Sequence, residues 1–203
     1  NSSLDIHNTY SNSNYIKFCI KIVHPNIYYQ CLYTKFYIYI FFNILKFFYK
    51  NINLFNLPIK YNNLYNNFIK QCNMKNEYTN LLSFYNNYYD NEYIIVPKPF
   101  FASKNLLIMS SENGEKLENI QETDYIKNKI LIFLNLFIHD SIFSHKLSHC
   151  DLHEGNWKVQ KYGNFYKIVI YDFGYCIKLD NNEIIKKFLH NWLTKNFDII
   201  IDI

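Results

Sequence analysis

Apolar and polar residues alternate between Tyr15 and Val23, and this alternation predicts a β-strand near the front of the chain. One face of the strand is apolar and consists of Phe18, Ile20 and Ile22. The other face carries two lysines and a cysteine, which are Lys17, Cys19 and Lys21. His24-Pro25 then ends the strand, because proline cannot donate a backbone hydrogen bond.

Apolar residues recur at helical spacing in the longer segments that follow. The spacing predicts helices from about Asn26 to Tyr49, from Tyr61 to Tyr89, from Lys116 to Lys146 and from Glu183 to Leu193. The segment Asn51 to Pro58 is a predicted connector. Because Ile130 to Ile138 is apolar nearly all round, we expect that part of its helix to lie in a core.

Short apolar runs predict further strands. Tyr93 to Val96 and Leu106 to Met109 are β candidates separated by Pro97-Lys98-Pro99, and Gly114 ends this strand-rich section. Farther on, the alternating run Trp157 to Gln160 and the apolar run Phe165 to Tyr171 flank a Gly163-Asn164 turn. That arrangement is typical of a β-hairpin.

Composition narrows the class of protein. With 203 residues the chain forms one domain or one two-lobed unit. Its net charge is +4 and all 21 basic residues are lysines dispersed along the sequence, so nucleic acid is not an expected partner. The richness in Asn, Ile, Tyr, Phe and Lys is typical of AT-rich coding sequence and needs no functional explanation.

Cysteine usage and hydropathy indicate an intracellular, reducing compartment without naming an organelle. The five cysteines form no Cys-x-x-Cys motif, and Asn1 to Ser13 does not resemble a signal peptide. The most apolar stretch, Phe36 to Phe48, is too short to span a membrane and contains Asn43 and Lys46. It predicts a buried or interfacial helix, and the interfacial case would allow peripheral contact with a membrane.

Candidate chemistry is concentrated between His149 and Gly174. The run His149-Cys150-Asp151-Leu152-His153-Glu154-Gly155-Asn156 is followed, sixteen residues after Asn156, by Asp172-Phe173-Gly174. Phosphoryl transfer from a nucleotide needs a carboxylate near the acceptor hydroxyl, and amide and carboxylate ligands for Mg²⁺. Asp151, Asn156 and Asp172 have these identities, and the predicted hairpin would return Asp172 to the loop that holds the other two. His153 is expected to brace this loop through a backbone hydrogen bond.

A kinase-like site also needs a cation for the phosphates, and a carboxylate that holds this cation in place. Lys21 is the candidate cation, because it stands at the centre of the first predicted strand on the face opposite the apolar residues. An isolated lysine in such a position would be a solvated surface residue. The surrounding motifs favour the functional interpretation.

Several ordered segments resemble the UbiB-type atypical kinases, a protein-kinase-like family associated with coenzyme Q. Phe18 to Pro25 is similar to the family's Val-Ala-Val-Lys-Val-Gln-His-Pro, and Gln71, Glu77 and Asn80 match its Gln-x5-Glu-x2-Asn helix. Further similar segments are Ser2 to His7, Val96 to Lys98, Leu107 to Met109, Gly114 to Leu117 and His149 to Asn156. The resemblance covers nearly the whole chain.

The resemblance implies an α+β, protein-kinase-like fold of two lobes. Residues 1–113 would form a small β-containing N-lobe with extra long helices, and residues 114–203 a reduced helical C-lobe. The implied cofactors are ATP or ADP with Mg²⁺. Lys21 would pair with Glu77 and contact phosphates, Asp151 would be the catalytic-loop aspartate, and Asn156 and Asp172 would hold the metal. The implied nucleotide contacts are Ser2, Ser3, Met109, Ser110, Ser111 and Glu112, the last three near the adenine.

Departures from the family pattern affect the expected substrate. Ser2 and Ser3 stand where the family has alanines, and its Lys-x-Gly-Gln segment is not in this sequence. Cys150 replaces the arginine of ordinary protein kinases, no Ala-Pro-Glu follows Asp172-Phe173-Gly174, and about thirty residues remain after Gly174. A lipid or small-molecule acceptor, or hydrolysis of ATP, is therefore expected in preference to protein phosphorylation.

Two alternatives from other functional classes stay open. A small-molecule phosphotransferase of the aminoglycoside or choline kinase type has a similar His-Gly-Asp-x-His-x-Gly-Asn loop, but it does not account for the segments around Lys21 and Glu77. A pseudokinase would bind nucleotide and act as a scaffold. It would be expected to lack at least one of the catalytic residues, and all of them are present.

Overall fold

The computed structural model describes residues 17–48 and 69–179, together with residue 186. Four sequence expectations fall outside this part of the chain, either wholly or in part: the nucleotide contacts Ser2 and Ser3, the connector from Asn51 to Pro58, the first residues of the second helix, and the helix from Glu183 to Leu193. All five cysteines lie within the described residues, and none of them forms a disulfide there.

The first sheet has three antiparallel strands: β1 (Phe18–Ile22), β3 (Pro99–Ala102) and β4 (Leu106–Ser110), in the order β1-β4-β3. β1 and β4 were predicted. β3 was missed, because the prolines around Lys98 were interpreted as a separator between strands. Pro99 is tolerated since it is the first residue of an edge strand, where its missing N–H costs little.

The apolar face of β1 points away from the protein interior. Phe18, Ile20 and Ile22 are 53%, 44% and 63% exposed. The face that carries Cys19 and Lys21 is partly buried, and Cys19 packs against the core. Lys21 therefore faces the interior, which a lysine must do if it is to contact a buried carboxylate.

Helices α1 (Ile27–Phe48) and α2 (Met74–Tyr88) come next in the described part of the chain. The single helix predicted from Tyr61 to Tyr89 is wrong at Cys72, where a turn interrupts it. Asn73 restarts the helix as an N-cap, with φ of −115° and a side-chain oxygen that accepts the Lys75 N–H. Asparagine is a favoured N-cap because it satisfies one of the unpaired donors of the first turn.

The second sheet places the hairpin beside an earlier segment. β6 (Trp157–Tyr162) and β7 (Phe165–Ile170) are antiparallel, as predicted, and the turn between them places Gly163 at φ +55°. β2 (Ile94–Ile95) pairs with β7 in parallel. A separate pair, β5 (Leu147–His149) with β8 (Cys176–Lys178), flanks the candidate catalytic loop.

The helix predicted from Lys116 to Lys146 divides into a 3-10 turn at Leu117–Asn119 and α3 (Asp124–Phe143), capped by Thr123. Its central segment is not buried on all sides, which corrects the expectation of a helix enclosed in the core. One face is buried, at Ile130, Leu134, Phe137 and Ser141. Leu131, Ile132 and Leu136 on the other faces are exposed. The richness of this helix in apolar residues hid its amphipathic orientation.

The core joins α2 and α3 to both three-stranded sheets. Its largest fully buried side chains include Phe84 of α2, Phe173 after β7, and Leu81, Leu107, Ile168 and Ile170. A small β-sheet lobe together with helices confirms the predicted α+β class. Within the described residues, no helix is long and apolar enough to cross a membrane.

Candidate functional site

Lys21 lies between two carboxylates. Its Nζ is 2.9 Å from Glu77 Oε1 and 3.0 Å from Asp172 Oδ1. Glu77 is only 2% exposed, whereas the Lys21 side chain is about a third exposed. The structure therefore brings together one residue from β1, one from α2 and one from the segment after β7, and confirms the predicted pairing of Lys21 with Glu77.

Local conformation places each of the three side chains. Lys21 lies opposite Leu107 in the β1–β4 register and projects from the inner face of β1. Glu77 shares the buried face of α2 with Leu81 and Phe84, at the spacing of successive helical turns. Asp172 has a φ of +53°, a left-handed conformation that aspartate tolerates better than most residues, and the Gly174 N–H donates to its Oδ1 at 3.2 Å.

Burial and ion pairing oppose each other at these groups. Burial alone would raise the pKa of Asp172, but the Lys21 ammonium and the Gly174 N–H outweigh it and hold this pKa below its ordinary value. For Lys21 burial lowers the pKa, and the two carboxylates more than compensate, so the pKa is raised. Burial raises the pKa of Glu77, which Lys21 opposes. The site is thus held together by charge in a partly desolvated environment.

The loop between β5 and β6 positions Asn156 through its amide. Asn156 Nδ2 donates to the Asp151 carbonyl at 2.8 Å, and the Asn156 N–H donates to the His153 carbonyl at 2.8 Å. Asn156 is 8% exposed. With Nδ2 engaged, the Oδ1 atom of Asn156 is the side-chain atom left to contact a cation.

His153 braces this loop, as expected. Its Nδ1 accepts the Gly155 N–H at 3.0 Å, and its Nε2 lies 3.9 Å from Asp151 Oδ2. The Asp151 side chain is more than half exposed. The candidate catalytic carboxylate is therefore open to solvent on a loop whose backbone is held by hydrogen bonds.

The hairpin returns Asp172 to the catalytic loop, as predicted. The Tyr171 N–H donates to the Asn156 carbonyl at 2.8 Å, and His149 Nε2 hydrogen-bonds the Tyr171 carbonyl at 3.1 Å. Tyr171, the residue before Asp172, thus contacts His149 and Asn156, the two ends of the loop that holds Asp151.

An aromatic cluster supports the site from behind. The rings of Phe84, Phe173 and His149 lie 5.1 to 6.2 Å apart, measured between centroids. Asn80 Nδ2 donates to the Phe173 carbonyl at 2.9 Å, which ties the same helix that carries Glu77 to the segment after β7. Burial lowers the pKa of His149, and its buried Nδ1 has no hydrogen-bond partner.

The predicted base-binding residues lie at the end of β4. Met109 is buried, and the Ser111 N–H donates to the Lys17 carbonyl at 2.9 Å. Ser110 Oγ donates to Glu112 Oε1 at 2.6 Å and accepts the Lys98 N–H at 2.8 Å. Two of the predicted side chains therefore bond each other, a contact that the sequence did not indicate.

Sequence reasoning missed Tyr171. Its hydroxyl donates to the Glu112 carbonyl at 3.0 Å, a contact between residues 59 positions apart in the sequence. A tyrosine immediately before Asp172-Phe173-Gly174 was the available signal, because a large polar side chain at that point must find a hydrogen-bond partner.

Metal binding here would depend on few protein ligands. The described residues contain no group of three or more His, Cys, Asp or Glu side chains that could hold a metal ion. Mg²⁺ in nucleotide sites is bound by one or two protein oxygens together with phosphates and water. Asn156 Oδ1 and the Asp172 carboxylate are oxygen donors of this kind, so the residues present fit Mg²⁺ carried by a nucleotide.

Comparison with known families gives a match along almost the whole chain. Residues 5–200 match the family described as the ABC1 atypical kinase-like domain. No curated protein sequence matches.

A solved structure shares the fold. The complex of Rv3197 with erythromycin from Mycobacterium tuberculosis is 17% identical with a TM-score of 0.63, and covers 91% of this chain. This chain spans 47% of that protein. The Rio2 kinase of Chaetomium thermophilum, in its ADP/Mg²⁺-phosphoaspartate complex, is 16% identical with a TM-score of 0.43, and covers 56% of this chain and 33% of its own. The family match over residues 5–200 confirms the protein-kinase-like fold expected from the sequence.

Proposed function

This chain belongs to the ABC1 atypical kinase-like family, and from that premise we propose that it binds ATP or ADP together with Mg²⁺ and acts as a phosphotransferase or ATPase of the UbiB type. The contact of Lys21 with both Glu77 and Asp172 carries this proposal. A lysine placed between a helix carboxylate and the aspartate of Asp-Phe-Gly is the arrangement that phosphoryl transfer needs.

Each residue has a proposed role. Lys21, oriented by Glu77, contacts the α- and β-phosphates. Asn156 and Asp172 hold Mg²⁺, which neutralises charge on the phosphate oxygens when it is bound. Asp151, open to solvent, receives the proton of the acceptor hydroxyl or of water. These assignments suit a reaction in which the protein positions groups and stabilises charge.

The base would lie against the end of β4. We assign Met109, Ser110, Ser111 and Glu112 to this part of the site. Ser2 and Ser3, which lie outside the described residues, are assigned to the phosphates. Ser111 and the hydrogen-bonded pair of Ser110 and Glu112 place polar groups beside an apolar strand, a surface that a flat, partly polar base can contact.

The proposed acceptor is a lipid or a small molecule. Exposed Cys150 occupies the position next to Asp151, where an arginine would otherwise serve phosphorylation-dependent control. Helix α1 exposes a mostly aromatic surface that includes Tyr33, Phe36 and Tyr37. Aromatic side chains favour the boundary between water and lipid, so this surface supports peripheral contact with a membrane.

Ligand-induced thermal stabilisation tests the nucleotide site. The melting temperature is measured with ATP and with ADP, each with and without Mg²⁺, for the native chain and for Asp172→Asn. A ligand at 100 times its Kd stabilises by about 2.7 kcal/mol, a shift of several degrees in a chain of this size. We expect a Mg²⁺-dependent shift in the native chain that is lost in Asp172→Asn, because the amide removes the anionic metal ligand.

Asp90→Asn is the matched control, since it makes the same change at an exposed position beyond α2. It should retain the full shift. Absence of any nucleotide-dependent shift in the native chain would refute the proposed function, and an undiminished shift in Asp172→Asn would remove Asp172 from the metal site.

A further inference from the structure

Tyr171 connects three parts of the site that are far apart in sequence. Its N–H donates to the Asn156 carbonyl, its carbonyl accepts from His149, and its hydroxyl donates to the Glu112 carbonyl. The first two contacts belong to the backbone and would be available to any residue. The third belongs to the side chain and places a phenol at the proposed base-binding end of the cleft.

Strand geometry shows where that phenol lies. Cys19 and Lys21 project from the same face of β1, two residues and about 7 Å apart along the strand. Lys21 meets Asp172 at 3.0 Å, and Cys19, opposite Met109 in the register, is among the groups that act electrostatically on the Tyr171 hydroxyl. The site therefore has a phosphate end at Lys21 and Asp172, and a second end near Cys19 and Glu112, where the Tyr171 hydroxyl lies.

The Tyr171 hydroxyl is firmly held as a hydrogen-bond donor. Burial is the main cause that raises the pKa of Tyr171 to about 12, with contributions from Glu112 and Cys19. The hydroxyl thus stays protonated at neutral pH and can donate to the Glu112 carbonyl throughout the physiological range.

The chain that follows β4 packs tightly around this hydroxyl. A Cβ atom at Gly114 would lie 3.4 Å from Tyr171 Oη and 2.8 Å from Lys158 Cβ. Glu115 and Val159 exchange two backbone hydrogen bonds of 2.8 Å, which fixes the segment after Gly114 to β6. While Tyr171 holds this position, its hydroxyl takes one of the two acceptor positions of the Glu112 carbonyl and lies in the space beside Gly114.

We propose that Tyr171 determines nucleotide specificity by filling the base end of the site. The native chain then binds its ligand mainly through the metal and the polyphosphate, and the base adds little affinity. This inference rests on the proposed nucleotide function. A base gains full access to the end of β4 only when the Tyr171 side chain leaves the Glu112 carbonyl.

The test measures the contribution of the phosphates to binding separately from that of the base. Isothermal titration calorimetry measures the Kd of ATP, GTP and inorganic tripolyphosphate, each with Mg²⁺, for the native chain and for Tyr171→Ala. The native chain is expected to bind all three within about threefold, whereas Tyr171→Ala should bind ATP about tenfold more tightly than the native chain and tripolyphosphate equally well. Tyr171→Phe, which loses the hydrogen bond and keeps the ring, should show a smaller gain.

Tyr162→Ala is the control, because it removes an exposed tyrosine from the same hairpin. It should leave all three Kd values unchanged. If Tyr171→Ala is too unstable to titrate, Tyr171→Leu replaces it, since this variant retains apolar volume and still frees the Glu112 carbonyl.

The outcomes distinguish this inference from the proposed function. One outcome overturns the role of Tyr171 but leaves the proposed function in place. In it, tripolyphosphate binds the native chain and the variant, and ATP binds neither Tyr171→Ala nor Tyr171→Leu more tightly than it binds the native chain. A native chain that already prefers ATP to tripolyphosphate by tenfold, or weaker ATP binding in the variants, makes Tyr171 a base contact and also overturns it. Failure of every ligand to bind either protein rejects the proposed function, and this inference with it.

Discussion

At the scale of single residues, Lys21 is the charge on which the site depends. It neutralises Glu77, which is 2% exposed, and also contacts Asp172. Removing one partner of a buried ion pair leaves an uncompensated charge, at a cost of about 3–5 kcal/mol when both groups are fully buried. Because Lys21 is itself about a third exposed, solvent reduces that cost.

We expect Lys21→Met to lower the free energy of unfolding by about 2–3 kcal/mol. The double variant Lys21→Met with Glu77→Gln should be more stable than the single variant, since it also removes the stranded carboxylate. Urea denaturation at neutral pH provides both values. Lys116→Met, which breaks the exposed pair with Glu118, should cost under about 0.5 kcal/mol. A Lys21→Met variant as stable as the control would contradict this account.

The residues of this ion-paired cluster could be predicted, but their surroundings could not. Lys21, Glu77 and Asp172 each stand in a recognisable local motif, and the hairpin prediction was enough to return Asp172 to the loop. The hydrogen bond from Tyr171 to Glu112 joins residues 59 positions apart and depends on how the chain after β4 packs on β6. No local pattern specifies such packing.

At the scale of elements, α2 is attached to β5, to the segment after β7 and to α3 by rings as well as by charge. Phe84 of α2 packs on Phe173 and His149, and Tyr88 of the same helix lies 5.1 Å from Phe137 of α3. The helix that carries Glu77 is thereby fixed against the segments that carry Asp172 and the catalytic loop. His149 is the one titratable ring of the Phe84, Phe173 and His149 cluster.

We expect acid to loosen this cluster below pH 6.5. Burial lowers the pKa of His149 from 6.5, so the folded state binds fewer protons than the unfolded state as the pH falls. The contribution of neutral His149 to the free energy of unfolding is therefore fully present above pH 6.5, and it decreases as the pH falls toward the folded-state pKa. Protonation would also place an N–H at Nδ1, which has no partner. Asp172, whose pKa is lowered from 3.8, loses its contribution only at more acidic pH.

The measurement is the free energy of unfolding between pH 7.5 and pH 5 for the native chain and for His149→Gln, whose amide can still donate to the Tyr171 carbonyl. The variant should be less stable at pH 7.5 but less sensitive to pH than the native chain. His139→Gln, on the part of α3 where the ring stacks on Phe143, is the control and should retain the native pH dependence. Identical pH dependence in all three proteins would exclude His149 as the cause.

Element prediction succeeded where a segment's own pattern decides its structure. Helix α1, strand β4 and the β6–β7 hairpin lie where periodicity and turn residues place them. The break at Cys72 was missed because the apolar stripe continues through it, and the Asn73 cap gives a weaker signal than the periodicity. The exposed faces of α3 were missed because only its packing partners decide which apolar residues are buried.

At the scale of the whole molecule, apolar surface is concentrated on α1 and on the outer face of β1. Tyr33, Phe36 and Tyr37 of α1 are each more than half exposed, as are Phe18 and Ile22 of β1. Exposed apolar surface of this extent is typical of sites that meet a partner or a lipid phase. The division of the chain into two lobes at residue 113 stays a prediction. Just beyond this boundary, Glu115 exchanges two backbone hydrogen bonds with Val159 of β6.

The proposed acceptor and membrane contact are testable together through ATP turnover. With Mg²⁺ and ATP, phospholipid vesicles should raise the rate of ATP consumption, because they bring the exposed aromatic face of α1 and an apolar acceptor to the same surface. The triple variant Tyr33→Ser, Phe36→Ser, Tyr37→Ser should keep the rate without vesicles and lose roughly half or more of the stimulation, since binding to an interface scales with the apolar area buried. Tyr125→Ser, on exposed α3 surface, should retain the native response. A rate that vesicles do not change would remove the lipid surface from the proposal, and equal stimulation in all three proteins would place the contact elsewhere than α1.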